Sequence, residues 1–264
     1  MRNKVKTYCF TCLILTFILT LLRLVSLFNF YDVGVGYFNS SFITTLTNVI
    51  YLISSLWCLS SLIFIPKSSI ETQFTPNSLC VKGASAFAAV LFIFSAIFMF
   101  GTHSKFASII MLTSLISTLF FIFSLLNFKV SGVIRAFASI FVTATLTIIL
   151  MAVYFDMTVA MNSPHKILGA FALMSSMLFS LCETRVYLKK TLPRTHFAFS
   201  LLTFMLGTSF ALSSVIYVFT SHASEFISNP ITLGNIAYVA VIIAVSVYAI
   251  SRSFSFEDAQ TEII

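Results

Sequence analysis

The chain has 264 residues, of which 59% are hydrophobic and only 9% charged. A soluble domain carries about a quarter charged residues, so a mean hydropathy of +1.03 excludes a water-soluble fold. The formal charge of +7 fits lysine and arginine kept in cytoplasmic loops of a membrane chain. The expected partner is the lipid bilayer, and no nucleic acid is implied.

Apolar runs of roughly 20 residues recur along the chain, each able to cross about 30 Å of hydrocarbon as a helix. They are about twice the length of a barrel strand and lack its alternation, so the spans must be helices. The first follows MRNKVK. It imitates a secretory signal but is too long and lacks a small-x-small cleavage site, so it is expected to be an uncleaved helix over residues 7–30. Cys9 and Cys12 form a C-x-x-C within it. A redox or zinc role needs a second pair or a βαβ context, and neither is present, which leaves apolar packing as the expectation.

Arg23 is the one charge well inside a predicted span, about 24 Å from the helix start at 1.5 Å per residue. The expectation is that it snorkels to the outer headgroups. The alternative is that it faces the bundle and pairs with an acid, Asp32 or Asp156. The stretch FYDVGVGYFNSS, residues 30–41, closes this segment. Its V-G-V-G-Y is too short for a dinucleotide fingerprint and is expected to shape a turn.

Seven further helices are predicted over residues 43–65, 84–101, 106–127, 135–155, 166–188, 196–219 and 232–251, giving an all-α integral membrane bundle of about eight transmembrane helices in one domain, 1–264, with a short tail at 252–264. The prolines at 66, 76, 164, 193 and 230 all fall in predicted loops, and Gly207 is the one glycine well inside a span. Unbroken helices disfavour the discontinuous-helix ion sites of many transporters. At the end of the sixth helix, ETRVYLKK sets Glu183 beside Arg185, Lys189 and Lys190. Glu183 is expected to be solvated at the inner interface.

With the N-terminus inside, the inner segments carry Arg2, Lys4, Lys6, Lys67, Lys82, Lys129, Arg135, Arg185, Lys189, Lys190, Arg194 and Arg252, and the outer loops only Lys105 and Lys166. Both termini are therefore expected in the cytoplasm. All five cysteines then map to the cytoplasmic half, which excludes an extracellular disulfide framework.

The chain also matches itself. FYDVGVGYFNS around Asp32 is similar to YFDMTVAMNS around Asp156, and FGTHSKF around His103 to FTSHASEF around His222. Both matches sit after equivalent helices on the predicted outer face. A 4+4 parallel tandem repeat, with halves 7–127 and 135–251, would place them so; short loops of similar composition would too. Asp32, Asp156, His103 and His222 have the donor types of a divalent-metal site. Loop ordering by the aspartates and solvated histidines at helix ends explain each residue singly, so neither a metal nor a cofactor is expected. A lesser alternative is a proton-sensitive site in which Arg23 or Lys166 pairs with Asp156.

The strings YDVGVGYF, FDMTVAMNSPHKIL and MLFSLCETRVYLKKTLPR together resemble those of a family of uncharacterised polytopic membrane proteins of clostridia-like bacteria. The resemblance implies a bacterial inner membrane, and no activity comes with it. Hydrolase, kinase, zincin and nucleotide-binding signatures are absent, so the protein is not expected to be an enzyme. Three functions stay open: a sensor or accessory protein whose outer loops bind a small ligand or ion, a facilitator of a small neutral solute, and an assembly or scaffold role suited by the inner basic residues. A membrane-protein partner is compatible with each.

Overall fold

The computed structural model describes residues 2–32, 37–65, 78–100, 106–126, 130–155, 163–190, 192–221 and 230–258. Eight helices run among them: α1 Arg2–Phe30, α2 Phe42–Phe64, α3 Leu79–Phe100, α4 Ala107–Leu126, α5 Gly132–Phe155, α6 Pro164–Tyr187, α7 Pro193–Ser221 and α8 Pro230–Asp258. Each is long and apolar enough to cross a membrane. Between α1 and α2 the chain turns back as a short antiparallel hairpin, β1 Tyr31–Asp32 and β2 Tyr37–Phe38, with Tyr31 opposite Phe38 and Asp32 opposite Tyr37. The V-G-V-G turn itself lies outside the described residues.

The distribution of side chains is that of a membrane bundle. Phe17, Leu52, Val90, Leu112, Phe137 and Phe171 are exposed on its outside, whereas Ser85, Ser114, Ser117, Ser139, Ser176 and Thr203 are buried inside. Lipid accepts the large apolar groups without penalty, so small hydroxyl residues can be reserved for close helix contacts. Many of these hydroxyls donate within their own helix, as Thr16 does to the Cys12 carbonyl at 2.7 Å and Ser209 to that of Met205 at 2.6 Å. Others join helices: Ser139 Oγ meets Thr184 Oγ1 at 2.9 Å across α5 and α6, Ser117 Oγ meets Thr145 Oγ1 at 3.0 Å across α4 and α5, and Ser200 bonds Ser253 across α7 and α8.

Helices α3, α4, α5, α6, α7 and α8 pack successively, and α8 closes back on α3, while α1 and α2 pack together against α7. Helices α7 and α8 are the most enclosed of the eight. Their seam depends on Gly207, where an added Cβ would overlap Ser246 Oγ and approach Ile242 Cγ2 to 3.1 Å. The first and second, and the third and fourth, helices of each proposed half are neighbours.

Three prolines expected in loops instead begin helices: Pro164 opens α6, Pro193 α7 and Pro230 α8. The first helical position needs no N–H donor and suits the fixed proline φ. Serine caps the two helices that follow the matched loops. Ser41 makes a capping box with Thr44 at the start of α2, and Ser163 Oγ accepts from the Lys166 N–H at 3.2 Å at the start of α6.

Cys9, Cys12 and Cys58 are buried in the apolar core, Cys80 is exposed and Cys182 half-buried, all as free thiols.

Candidate functional sites at the two ends of the bundle

Buried positions on α1 recur at Cys9, Cys12, Thr16, Leu19, Thr20, Arg23, Ser26 and Leu27, the three-to-four spacing of one helix face. Arg23 stands on that face, seven residues before the helix ends. It does not snorkel: its relative exposure is 3%. Its Nη2 donates to His165 Nδ1 at 2.9 Å, across from the second residue of α6. A guanidinium can only donate, so the imidazole must accept at Nδ1 and carry its proton at Nε2.

Aromatic rings complete the enclosure. The Arg23 Cζ lies 5.6 Å from the Phe38 ring centre and 5.9 Å from that of Phe210, one on the hairpin and the other on α7. Such faces attract a cation through their quadrupole. His165 packs on Phe210 at 5.0 Å and on Tyr31 at 6.0 Å, and Tyr31 in turn meets Phe38 at 5.1 Å and Tyr217 at 6.1 Å. Burial raises the Tyr31 phenol pKa above its ordinary value, and the nearby Arg23 charge partly offsets this. The hairpin therefore forms a wall over the guanidinium.

Of the two acids offered as alternative partners of Arg23, Asp156 lies outside the described residues. Asp32 sits on β1, exposed, and Arg23 forms no ion pair among the described residues. Two groups here lack hydrogen-bond partners: Arg23 Nε, and the hydroxyl of Tyr51 on α2. Tyr51 is buried within electrostatic reach of Arg23 and close to Ser209, whose own hydroxyl proton is committed to the Met205 carbonyl. Asp156, His103 and His222 lie outside the described residues, as does their suggested cluster with Asp32. Among the described residues no group of three or more His, Cys, Asp or Glu could hold a metal.

A second charged cluster lies at the other end of α6, 18 residues from His165 and so about 27 Å along the helix. Glu183 is not solvated at an interface, as its charged neighbours suggested. It is fully buried, and its Oε1 accepts both from His196 Nε2 of α7 at 2.9 Å and from Arg252 Nε of α8 at 2.7 Å. Arg252 is itself 4% exposed. The helical spacing separates Glu183 from Arg185, which is exposed on the last turn of α6. There it favours the helix C-terminus. Phe179 packs over His196 at 5.2 Å, with Tyr248 against it at 6.1 Å.

His165, His196 and Arg252 carry both clusters, and sequence reasoning missed all three. For His196 the signal was Pro193: read as a first helical residue, it puts His196 in the first turn of α7, facing Glu183 across a short connection. For Arg252 the signal was weaker, since the residue was counted among the loop charges.

No family model, curated protein or solved structure matches the chain.

Proposed function

We propose that this multi-pass membrane protein binds a small ligand or ion at the outer end of its bundle, as a sensor or accessory subunit of a bacterial inner membrane, with both termini in the cytoplasm. The observation that carries the reading is Arg23: a buried cation with an unused N–H, roofed by the hairpin, at the end of α1 away from the basic inner segments. Burying a charge without an opposite charge is costly, and binding sites are where such costs are retained. The Glu183–His196–Arg252 cluster has its own internal compensation and belongs in this reading to the joint of α6, α7 and α8. The tandem-repeat reading is kept beside it and is decided by superposing 7–127 on 135–251.

One labelling experiment tests site and orientation together. Ser40, exposed at the hairpin base, and Lys190, exposed after α6, are changed to cysteine one at a time in a Cys80→Ser, Cys182→Ser background. An impermeant maleimide should label the Ser40→Cys protein from outside intact cells and leave the Lys190→Cys protein untouched. A bound solute should slow the first reaction. Labelling of the Lys190→Cys protein from outside refutes the orientation, and saturable solute counterflow in proteoliposomes would replace the binding role with the facilitator alternative.

A further inference from the structure

We infer that the ligand of the outer site is a singly charged oxyanion, a carboxylate or a phosphodiester, received by Arg23 and Tyr51. This rests on the ligand-binding reading above and specifies its chemistry.

The charge balance comes first. Arg23 contributes one positive charge, and His165, accepting at Nδ1, adds none. No carboxylate among the described residues pairs with the guanidinium. Among the described residues the site therefore holds one positive charge with no carboxylate paired to it, which a monoanion neutralises and a neutral solute leaves unpaired.

The donor inventory points the same way. Arg23 Nε–H and the Tyr51 hydroxyl are both donors and both belong to side chains more than nine-tenths buried; among the described residues neither has a well-formed hydrogen bond, Tyr51 having only Ser209 nearby. An anionic oxygen is the acceptor that satisfies a guanidinium best, through charge-assisted hydrogen bonds. A cation would be repelled by Arg23. The rings of Phe38, Phe210 and Tyr31 around Arg23 and His165 are the apolar surface that a body behind the charged group would meet. Both a soluble carboxylate and a phospholipid headgroup present that combination, and the site lies about 10 Å, seven residues, inside the outer end of α1, within reach of either.

The test follows the thermal unfolding midpoint of the protein in dodecyl maltoside freed of phospholipid. Acetate and benzoate are titrated against their uncharged isosteres acetamide and benzamide, and against tetramethylammonium. A parallel arm adds phosphatidylglycerol or, as its phosphate-free counterpart, diacylglycerol. A ligand that binds only the folded state raises the midpoint by mass action. The acids, or phosphatidylglycerol, should raise it while the amides and diacylglycerol do not; which arm responds identifies the soluble or the lipid source. The shift should vanish in Arg23→Gln. Because that variant could also disturb folding, Tyr51→Phe is the second probe: it removes a hydroxyl whose neighbour Ser209 keeps its own bond to the Met205 carbonyl, so the fold should be kept while apparent affinity falls about tenfold, the loss of one hydrogen bond to a charged group.

Amides as effective as acids, or an anion shift that survives both variants, overturn the inference. A neutral solute or cation that alone stabilises in an Arg23-dependent way overturns it while leaving the ligand-binding reading standing. If no solute of any class and neither lipid moves the midpoint, both fall.

Discussion

Arg252→Ala should destabilise the bundle by about 3–5 kcal/mol, the range for breaking a buried ion pair from one side. The change removes the Arg252 Nε contact at 2.7 Å and leaves Glu183, fully buried, with His196 as its remaining described hydrogen-bond partner. Its other oxygen, Oε2, already has no hydrogen-bond partner, so the carboxylate has no reserve of donors. Removing both ends should cost far less. In Glu183→Leu with Arg252→Met the buried charges go together, and apolar replacement of such pairs is often neutral or stabilising. Reversible unfolding in mixed micelles, read for Glu183→Leu, Arg252→Met and the double variant, gives the coupling directly. A double-variant loss equal to the sum of the two single losses would mean that the cluster contributes no mutual stabilisation and that packing alone was disturbed.

The second large effect is expected at Gly207→Val. Helices α7 and α8 approach closely enough there that any Cβ overlaps Ser246 Oγ. Valine adds two methyl groups beside Ile242, and overpacking of this kind costs about 1–3 kcal/mol. The smaller change Gly207→Ala should be partly rescued by Ser246→Ala, because the nearest obstacle is that hydroxyl. Rescue is not complete, since Ser246 Oγ also donates to the Thr203 carbonyl at 3.2 Å. The same unfolding assay checks it; a Gly207→Val protein as stable as the parent would show that the seam can relax at no cost.

Helix number and nearly all helix ends were legible in the sequence because lipid imposes a length on apolar runs. The larger exceptions are the starts of α1 and α3, at Arg2 and Leu79 where 7 and 84 were expected, and the end of α8, which runs to Asp258 past the expected 251; Pro164, Pro193 and Pro230, read as loop punctuation, instead open their helices, as proline suits a first turn. The loop serines were more informative than their polar character suggested, for Ser41 and Ser163 both became caps.

Side-chain direction was harder to read. Position along α1 was legible for Arg23, but position along a helix does not say which face a residue occupies. The face was written in Thr16, Thr20, Arg23 and Ser26, polar residues at helical spacing that meet the bundle together. Glu183 was misjudged for the opposite reason. Its neighbours in sequence, Arg185, Lys189 and Lys190, implied a wet surface, whereas its neighbours in space are His196 and Arg252. Contacts 13 and 69 residues away leave no local pattern. For the Asp32, Asp156, His103 and His222 cluster, only Asp32 falls among the described residues.

The central claim is that Arg23 is an enclosed cation of the bundle interior and not an anchor in the headgroups. Phenylglyoxal modification followed by peptide mass spectrometry tests it directly, with exposed Arg185 as the internal reference in micelle-solubilised protein. Arg185 should be modified readily and Arg23 much more slowly while the protein is folded, the difference closing on unfolding. Modification of Arg23 at the rate of Arg185 in the folded protein would contradict the enclosure, and with it the ligand site built on it.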